Sequence, residues 1–196
     1  RAEVQILALR LGAVAENPIL AGGVQACDPH HRGSGPLKPG ELIIVDLFPQ
    51  LSETRYWGDM TRTYLKGRAS AAQRRLFDTV AKAQKLAMKE IQAGRPGKAV
   101  HQRVHRYFTE QGYQTGELNG RRQGFFHGTG HGLGLEIHEA PNLGESGTSK
   151  LEKGNVVTVE PGLYYPSIGG VRIEDVVAVT ASGCRKLSRF PVELEL

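Results

Sequence analysis

The segment GNVVTVEPGLYYPSIGGVRIEDVVAVTASG, residues 154–183, decides the fold. Valines, threonines and tyrosines fill β-prone runs on either side of a Pro/Gly turn, the pattern of an antiparallel hairpin. Glu160 and Glu174 interrupt runs that otherwise favour apolar residues, and a turn around Ser167 predicts that they lie opposite each other. A second pair of runs, ELIIVDLF (41–48) and RYWGDMTRTYL (55–65), has the same character, and a turn at Ser52–Glu53 predicts Asp46 opposite Asp59.

Directly opposed like charges destabilise a sheet, and buried carboxylates are costly unless paired or bound to a cation. Arg62, Arg172 and the lysines offer ordinary ion pairs. A bound cation would answer both costs for the whole set at once.

Outward from the hairpins the pattern turns helical. RAEVQILALRLG (1–12) sets Val4, Leu7 and Leu11 at helical spacing before a glycine. Ser70 is placed to cap a helix reaching about Ala93, with Leu76, Val80, Ala83, Ala87 and Ile91 on one face and Gly94 and Pro96 as the stop. A further helix over 97–111 carries Val100, Val104 and Phe108. Helices beside antiparallel hairpins make the class α+β, a curved, mostly antiparallel sheet covered by helices.

The 196 residues fit one ordinary domain or two small ones, and 39% hydrophobic with 23% charged residues excludes disordered and fibrous classes. The net charge of +5 is scattered, and neither Arg74-Arg75 nor Arg121-Arg122 sits among interleaved aromatics, so no nucleic-acid partner is expected. Cys27 and Cys184 stand in no metal-type spacing, which argues against a disulfide framework or thiolate zinc and for a reducing compartment. With no long apolar run and no signal-type opening, a soluble, cytoplasmic protein without a membrane partner is expected.

Seven histidines and 25 glycines are not evenly spread. HGTGHGLGLEIHEAP (127–141) places His127, His131 and His138 in one segment whose glycines exclude helix and permit a tight path, so at least one is expected to bind metal. HEAP lacks the second histidine of HExxH, excluding a zincin helix. His101 and His105, i,i+4 on a helix, read as solvated surface residues, and composition does not promote His30 or His31. One histidine with four carboxylates is an oxygen-rich donor set suited to Mn²⁺, Fe²⁺, Co²⁺ or Zn²⁺. Two such ions, roughly 3.5–4 Å apart, can hold a hydroxide and polarise a carbonyl, which makes hydrolysis the leading chemistry.

PHHRGSGPLKPGELIIVD (29–46), DMTRT (59–63), HGTGHGLGLEIHEAP, VVTVEPGLYYP (156–166) and GVRIEDVVAVT (170–180), in that order, resemble the pita-bread metallopeptidases, in particular the Xaa-Pro branch of aminopeptidase P and prolidase. The resemblance covers nearly the whole chain. It implies metal ligands Asp46, Asp59, His131, Glu160 and Glu174, with Asp59 and Glu174 bridging two divalent ions of which Mn²⁺ is expected. It also implies that His127, His138 and His30, the histidine following Pro29, surround the substrate, with the choice between His30 and His31 left open by the sequence. Tyr164, Arg172 and Thr61 are then expected to brace the ligands, as groups behind a metal site orient its donors.

The Asp46-to-Asp59 interval is longer than the family usually has by an even number of residues, which keeps strand parity. Residues 1–196 are expected to be the catalytic domain, N-terminally truncated, with the family's separate N-terminal domain absent from this sequence and a homodimer as the assembly. The chemistry implied is attack on the carbonyl before a proline in second position, with Glu160 carrying a proton and His138 or His127 stabilising the oxyanion. The alternatives are methionine aminopeptidase-like specificity and a non-catalytic binding module on the same fold.

Overall fold

The computed structural model describes residues 1–118 and 120–196. In chain order the elements are helix α1 (Ala2–Arg10), strands β1 (Ala13–Val14) and β2 (Ile19–Gly22), a 3-10 turn (Gly23–Cys27), and strands β3 (Leu42–Leu47), β4 (Gln50–Leu51) and β5 (Met60–Leu65). Helices α2 (Ala71–Glu90) and α3 (Gly97–Glu110) follow, then strands β6 (Gly116–Leu118), β7 (Arg121–Gln123), β8 (Val156–Val159), β9 (Gly162–Tyr165), β10 (Gly169–Arg172), β11 (Asp175–Thr180) and β12 (Gly183–Lys186). All strand pairings between these elements are antiparallel, in the order β2-β3-β5, β12-β11-β8 and β10-β9, with the small pairs β1-β4 and β6-β7. No helix among the described residues is long and apolar enough to cross a membrane.

The long helix begins where expected. The Ser70 side chain accepts from the Gln73 N–H and the Gln73 side chain accepts from the Ser70 N–H, so two otherwise unpaired donors are satisfied reciprocally. Its buried stripe, Leu76, Phe77, Val80, Ala83 and Ala87, packs with Val100, Val104 and Phe108 of α3 onto the valines of β8 and β11. In α1, by contrast, no residue is buried, and Leu7 and Leu11 are 55% and 72% exposed although their spacing is helical. The solvated reading of His105 holds, but His101 falls next to Val100 on the inner stripe of α3. Its ring packs 5.1 Å from that of Phe125, and its Nδ1 lies 3.0 Å from Thr129 Oγ1.

The second hairpin has the expected register. Val159 faces Asp175 and Tyr165 faces Gly169, so Glu160 and Glu174 share one line, at the points where β8 gives way to β9 and β10 to β11. The first hairpin differs by two residues: Asp46 faces Thr61, not Asp59. The reason lies at the tip, where β4 leaves to pair with β1 and the Gly58 N–H closes onto the Pro49 carbonyl, so β5 starts only at Met60. A shift of two keeps the faces of the strand, and Asp59 stays on the same side as Thr61.

The glycine-rich segment runs alongside β8. Thr158 N–H donates to the His131 carbonyl and Glu160 N–H to the Thr129 carbonyl, both at 2.8 Å. Gly130 lies between them so close to β8 that a Cβ there would sit 2.0 Å from the Thr158 carbonyl oxygen. Gly130→Ala must therefore push the segment off β8, and urea unfolding is expected to show a loss of about 1–3 kcal/mol. An unchanged unfolding midpoint would contradict this packing.

Candidate metal centre

Each acidic residue reaches the site from a strand or a strand end. Asp46 comes from β3, Asp59 from the residue before β5, Glu160 from the β8–β9 junction and Glu174 from the β10–β11 junction. With His131 from the glycine-rich segment they line one cleft of about 1070 Å³, together with His30, His127, His138 and Arg172. Asp59, His131 and Glu174 offer donor atoms that all lie within 4.8 Å of one another. The His131 Nε2 is 3.8 Å from Asp59 Oδ2 and 3.4 Å from Glu160 Oε1.

The orientation of His131 follows from its other nitrogen. Nδ1 lies 3.0 Å from the Gly132 carbonyl, which only accepts, so the proton sits on Nδ1 and the Nε2 lone pair faces the carboxylates. Glu174 is held by Thr61, whose Oγ1 donates to Oε2 at 2.6 Å. Arg172 donates through Nη2 to Asp46 Oδ2 at 2.7 Å, through Nη1 to the Tyr164 hydroxyl at 2.9 Å and through Nε to Thr61 Oγ1 at 3.3 Å. A weaker contact, 3.4 Å to the Pro29 carbonyl, ties the same guanidinium to the segment carrying His30.

One oxygen of Asp46, Oδ1, and one of Glu174, Oε1, are buried and accept no hydrogen bond from the described residues. A buried carboxylate oxygen without a donor is expensive, and here two occur in one acidic cluster. Burial pushes Asp59 and Glu174 well above the usual carboxylate range, each helped by neighbouring carboxylates, and raises Glu160 to about 7 with a further contribution from Asp46. Burial lowers His131 to about 4, so it is neutral near pH 7. A neutral imidazole and an oxygen-rich acidic cluster with undonated oxygens fit a divalent cation.

The remaining predicted residues divide into two groups. His138 is exposed at the cleft, its ring 4.3 Å from that of His131 in an edge-to-face contact. His30 is exposed on the cleft wall, whereas His31 does not line it and accepts the Gly33 N–H on Nδ1. Both nitrogens of His127 are occupied: Nδ1 by the Gly128 carbonyl at 2.7 Å and Nε2 by the Tyr164 hydroxyl at 2.8 Å. Burial, with Arg172 nearby, lowers His127 to about 3, and it stands as a neutral link in the row Arg172–Tyr164–His127. Arg62, one of the candidate partners for the acidic set, turns away from it and pairs with Asp175 at 2.8 Å. Asp175 is a buried charge that reading the sequence passed over, and its adjacency to Glu174 was the available signal.

Residues 2–181 match the model of metallopeptidase family M24. The chain belongs to that family. The M24 chain is 36% identical over 185 residues to the Xaa-Pro dipeptidase of Pyrococcus furiosus, covering 92% of this chain and 50% of the relative. It superposes on the solved Xaa-Pro dipeptidase from Bacillus anthracis with a TM-score of 0.89 at 36% identity, covering 100% of this chain and 53% of that one. The X-Pro aminopeptidase from Thermotoga maritima gives a TM-score of 0.89 at 30% identity, with 100% and 54% covered. The M24 chain therefore spans about half the length of these proteins, and its fold is the α+β pita-bread arrangement that the resemblance implied.

The shifted carboxylates set a pH dependence. Their contribution to the stability of the metal-free protein is complete below the ordinary carboxylate pKa and is lost as pH rises through the folded values, about 7 for Glu160. His127 and His131 act in the opposite sense, costing stability as pH falls below the ordinary histidine value. A divalent cation added at pH 6 should thus displace protons from the carboxylates and none from His131. Calorimetric titration with Mn²⁺ in two buffers of different ionisation enthalpy is expected to show release of about one proton or more at pH 6, falling by pH 8. Equal release at both pH values would contradict shared protons in the cluster.

Proposed function

We propose that this M24 chain is the catalytic part of a metallopeptidase that uses two divalent ions to cut the Xaa-Pro bond at the start of a peptide or in a dipeptide. The observation that carries this reading is the convergence of Asp46, Asp59, His131, Glu160 and Glu174 on one cleft with two undonated buried carboxylate oxygens. In this reading those five residues hold the ions, and the oxygen-rich set supports Mn²⁺. Bound there, divalent ions supply charge that polarises the scissile carbonyl and makes water more acidic.

The chain's own groups divide the remaining work. Arg172 fixes Asp46 by a charge-assisted bond and, through Tyr164, the ring of His127. Thr61 orients the Glu174 carboxylate through its hydroxyl. Glu160, on the cleft wall 3.4 Å from the His131 ring nitrogen, is the carboxyl that would take a proton from the attacking water on one oxygen and deliver it to the leaving nitrogen. The leaving nitrogen must gain one proton to depart as an amine, the tertiary nitrogen of an Xaa-Pro bond like any other amide nitrogen. His138, exposed and beside His131, is the histidine with access to a developing oxyanion, while His127, both ring nitrogens engaged, and His30 face the substrate from the cleft wall.

The names of the relatives support proline in second position, and the site chemistry supports hydrolysis. The test is the initial rate of the Mn²⁺-loaded protein on an Xaa-Pro dipeptide, an Xaa-Pro-Xaa tripeptide and Met-Ala-Ser, beside the Glu160→Ala variant. Cleavage before proline that falls by about 100-fold or more in the variant is expected. Preference for Met-Ala-Ser would replace the specificity, and near-wild-type turnover by Glu160→Ala would remove its role.

A further inference from the structure

Arg62 leaves β5 on the side opposite Thr61 and is buried, only 2% exposed. All five of its N–H donors are engaged. Nη1 donates to the carbonyls of Thr61 and Glu174, Nη2 to Asp175 Oδ1 at 2.8 Å and the Phe190 carbonyl at 2.9 Å, and Nε to the Pro191 carbonyl at 2.9 Å. Asp175 is in turn held by Ser188 and Lys186, at 2.8 Å and 2.7 Å, and by Gln84 at 3.1 Å.

The two carbonyls on Nη1 belong to the pair that meets in the cleft. On the front, Thr61 Oγ1 donates to Glu174 Oε2 at 2.6 Å, and the Glu174 N–H donates to the Thr61 carbonyl at 3.0 Å. On the back, one guanidinium nitrogen joins the carbonyls of the same two residues. Strand β5 and the β10–β11 junction belong to different sheets, so this is one of the points, with the Arg172–Asp46 bond, where the first hairpin, with Asp46 and Asp59, is set against the second, with Glu160 and Glu174. An ion pair serving only to neutralise Asp175 would need Nη2 alone. Nη1 is itself held in place because Nη2 and Nε of the same rigid plane are bound to Asp175, Phe190 and Pro191, an anchoring that a freely rotating ammonium does not reproduce.

We propose that Arg62, oriented by Asp175, is a positioning residue that fixes Glu174 and Thr61 relative to the first hairpin and thereby sets the spacing of the cation site. The proposal rests on the reading of the acidic cluster as a metal centre. The experiment compares wild type with Arg62→Lys, Arg62→Met and the double variant Arg62→Met with Asp175→Leu, in which apolar side chains replace the buried pair. Each is measured below its own Tm for Mn²⁺ affinity by calorimetry and for the visible absorption of bound Co²⁺.

All three variants are expected to bind Mn²⁺ about 10-fold or more weakly and to show a shifted Co²⁺ spectrum, with the double variant recovering Tm relative to Arg62→Met. Arg62→Lys keeps the charge and loses the fork, so it carries the comparison if Arg62→Met does not fold. Variants with lowered Tm but wild-type Mn²⁺ affinity and Co²⁺ spectrum would make the pair merely structural and overturn the proposal. Wild-type protein that binds neither ion would overturn the metal reading itself, a separate result.

Discussion

The bond from the Arg172 guanidinium on β10 to Asp46 on β3, 2.7 Å long and buried, joins the two hairpins on which the rest of the structure depends. It places a fixed positive charge where four carboxylates approach one another. Burial works against the charge of Arg172, but Tyr164, Asp46 and Glu160 more than offset this and hold it further into its charged form. One cation cannot answer four carboxylates, however, and the undonated oxygens of Asp46 and Glu174 mark the charge that remains to be met. Burial first, and the neighbouring carboxylates after it, drive Asp59, Glu160 and Glu174 toward protonation in the metal-free chain.

Around that junction, two layers of polar contacts have opposite character. In front, toward the cleft, acidic groups have too few donors. Behind, Arg62, Asp175, Lys186, Gln84 and Ser188 form a network in which the charges are paired and the donors of Arg62 are used. The strand alternation of DMTRT produces both layers: Thr61 faces the site and Arg62 faces away. A site of high charge is thus mounted on a rear support that is already satisfied, so the strain of unpaired charge is confined to the side that a ligand can reach.

The glycine-rich segment adds the one imidazole that, among the described residues, is within 4 Å of the cluster's carboxylate oxygens. Its backbone pairs with β8 so closely that side chains at Gly130 are excluded, and this contact brings His131 and Glu160 to 3.4 Å. His127, four residues earlier, is carried to the row behind and bonds to Tyr164. Histidines that look equivalent along the chain therefore receive different roles from the carbonyls and hydroxyls that meet their ring nitrogens.

The sequence by itself determined the two hairpins, the capped helix beginning at Ser70, and the anomaly of four acidic residues in β-prone runs, because these are local signals of period, turn chemistry and charge. It also determined the Glu160–Glu174 register, since a short Pro/Gly turn leaves little freedom. Only the tertiary structure decided the Asp46–Thr61 register, because the longer tip is pulled aside by pairing with β1, a contact distant in sequence. It alone distinguished His30 from His31, buried His101 against Phe125, and sent Arg172 to the site but Arg62 behind it. Each of those outcomes depends on which groups from remote segments surround a side chain, and desolvation and hydrogen bonding act only once those segments have met.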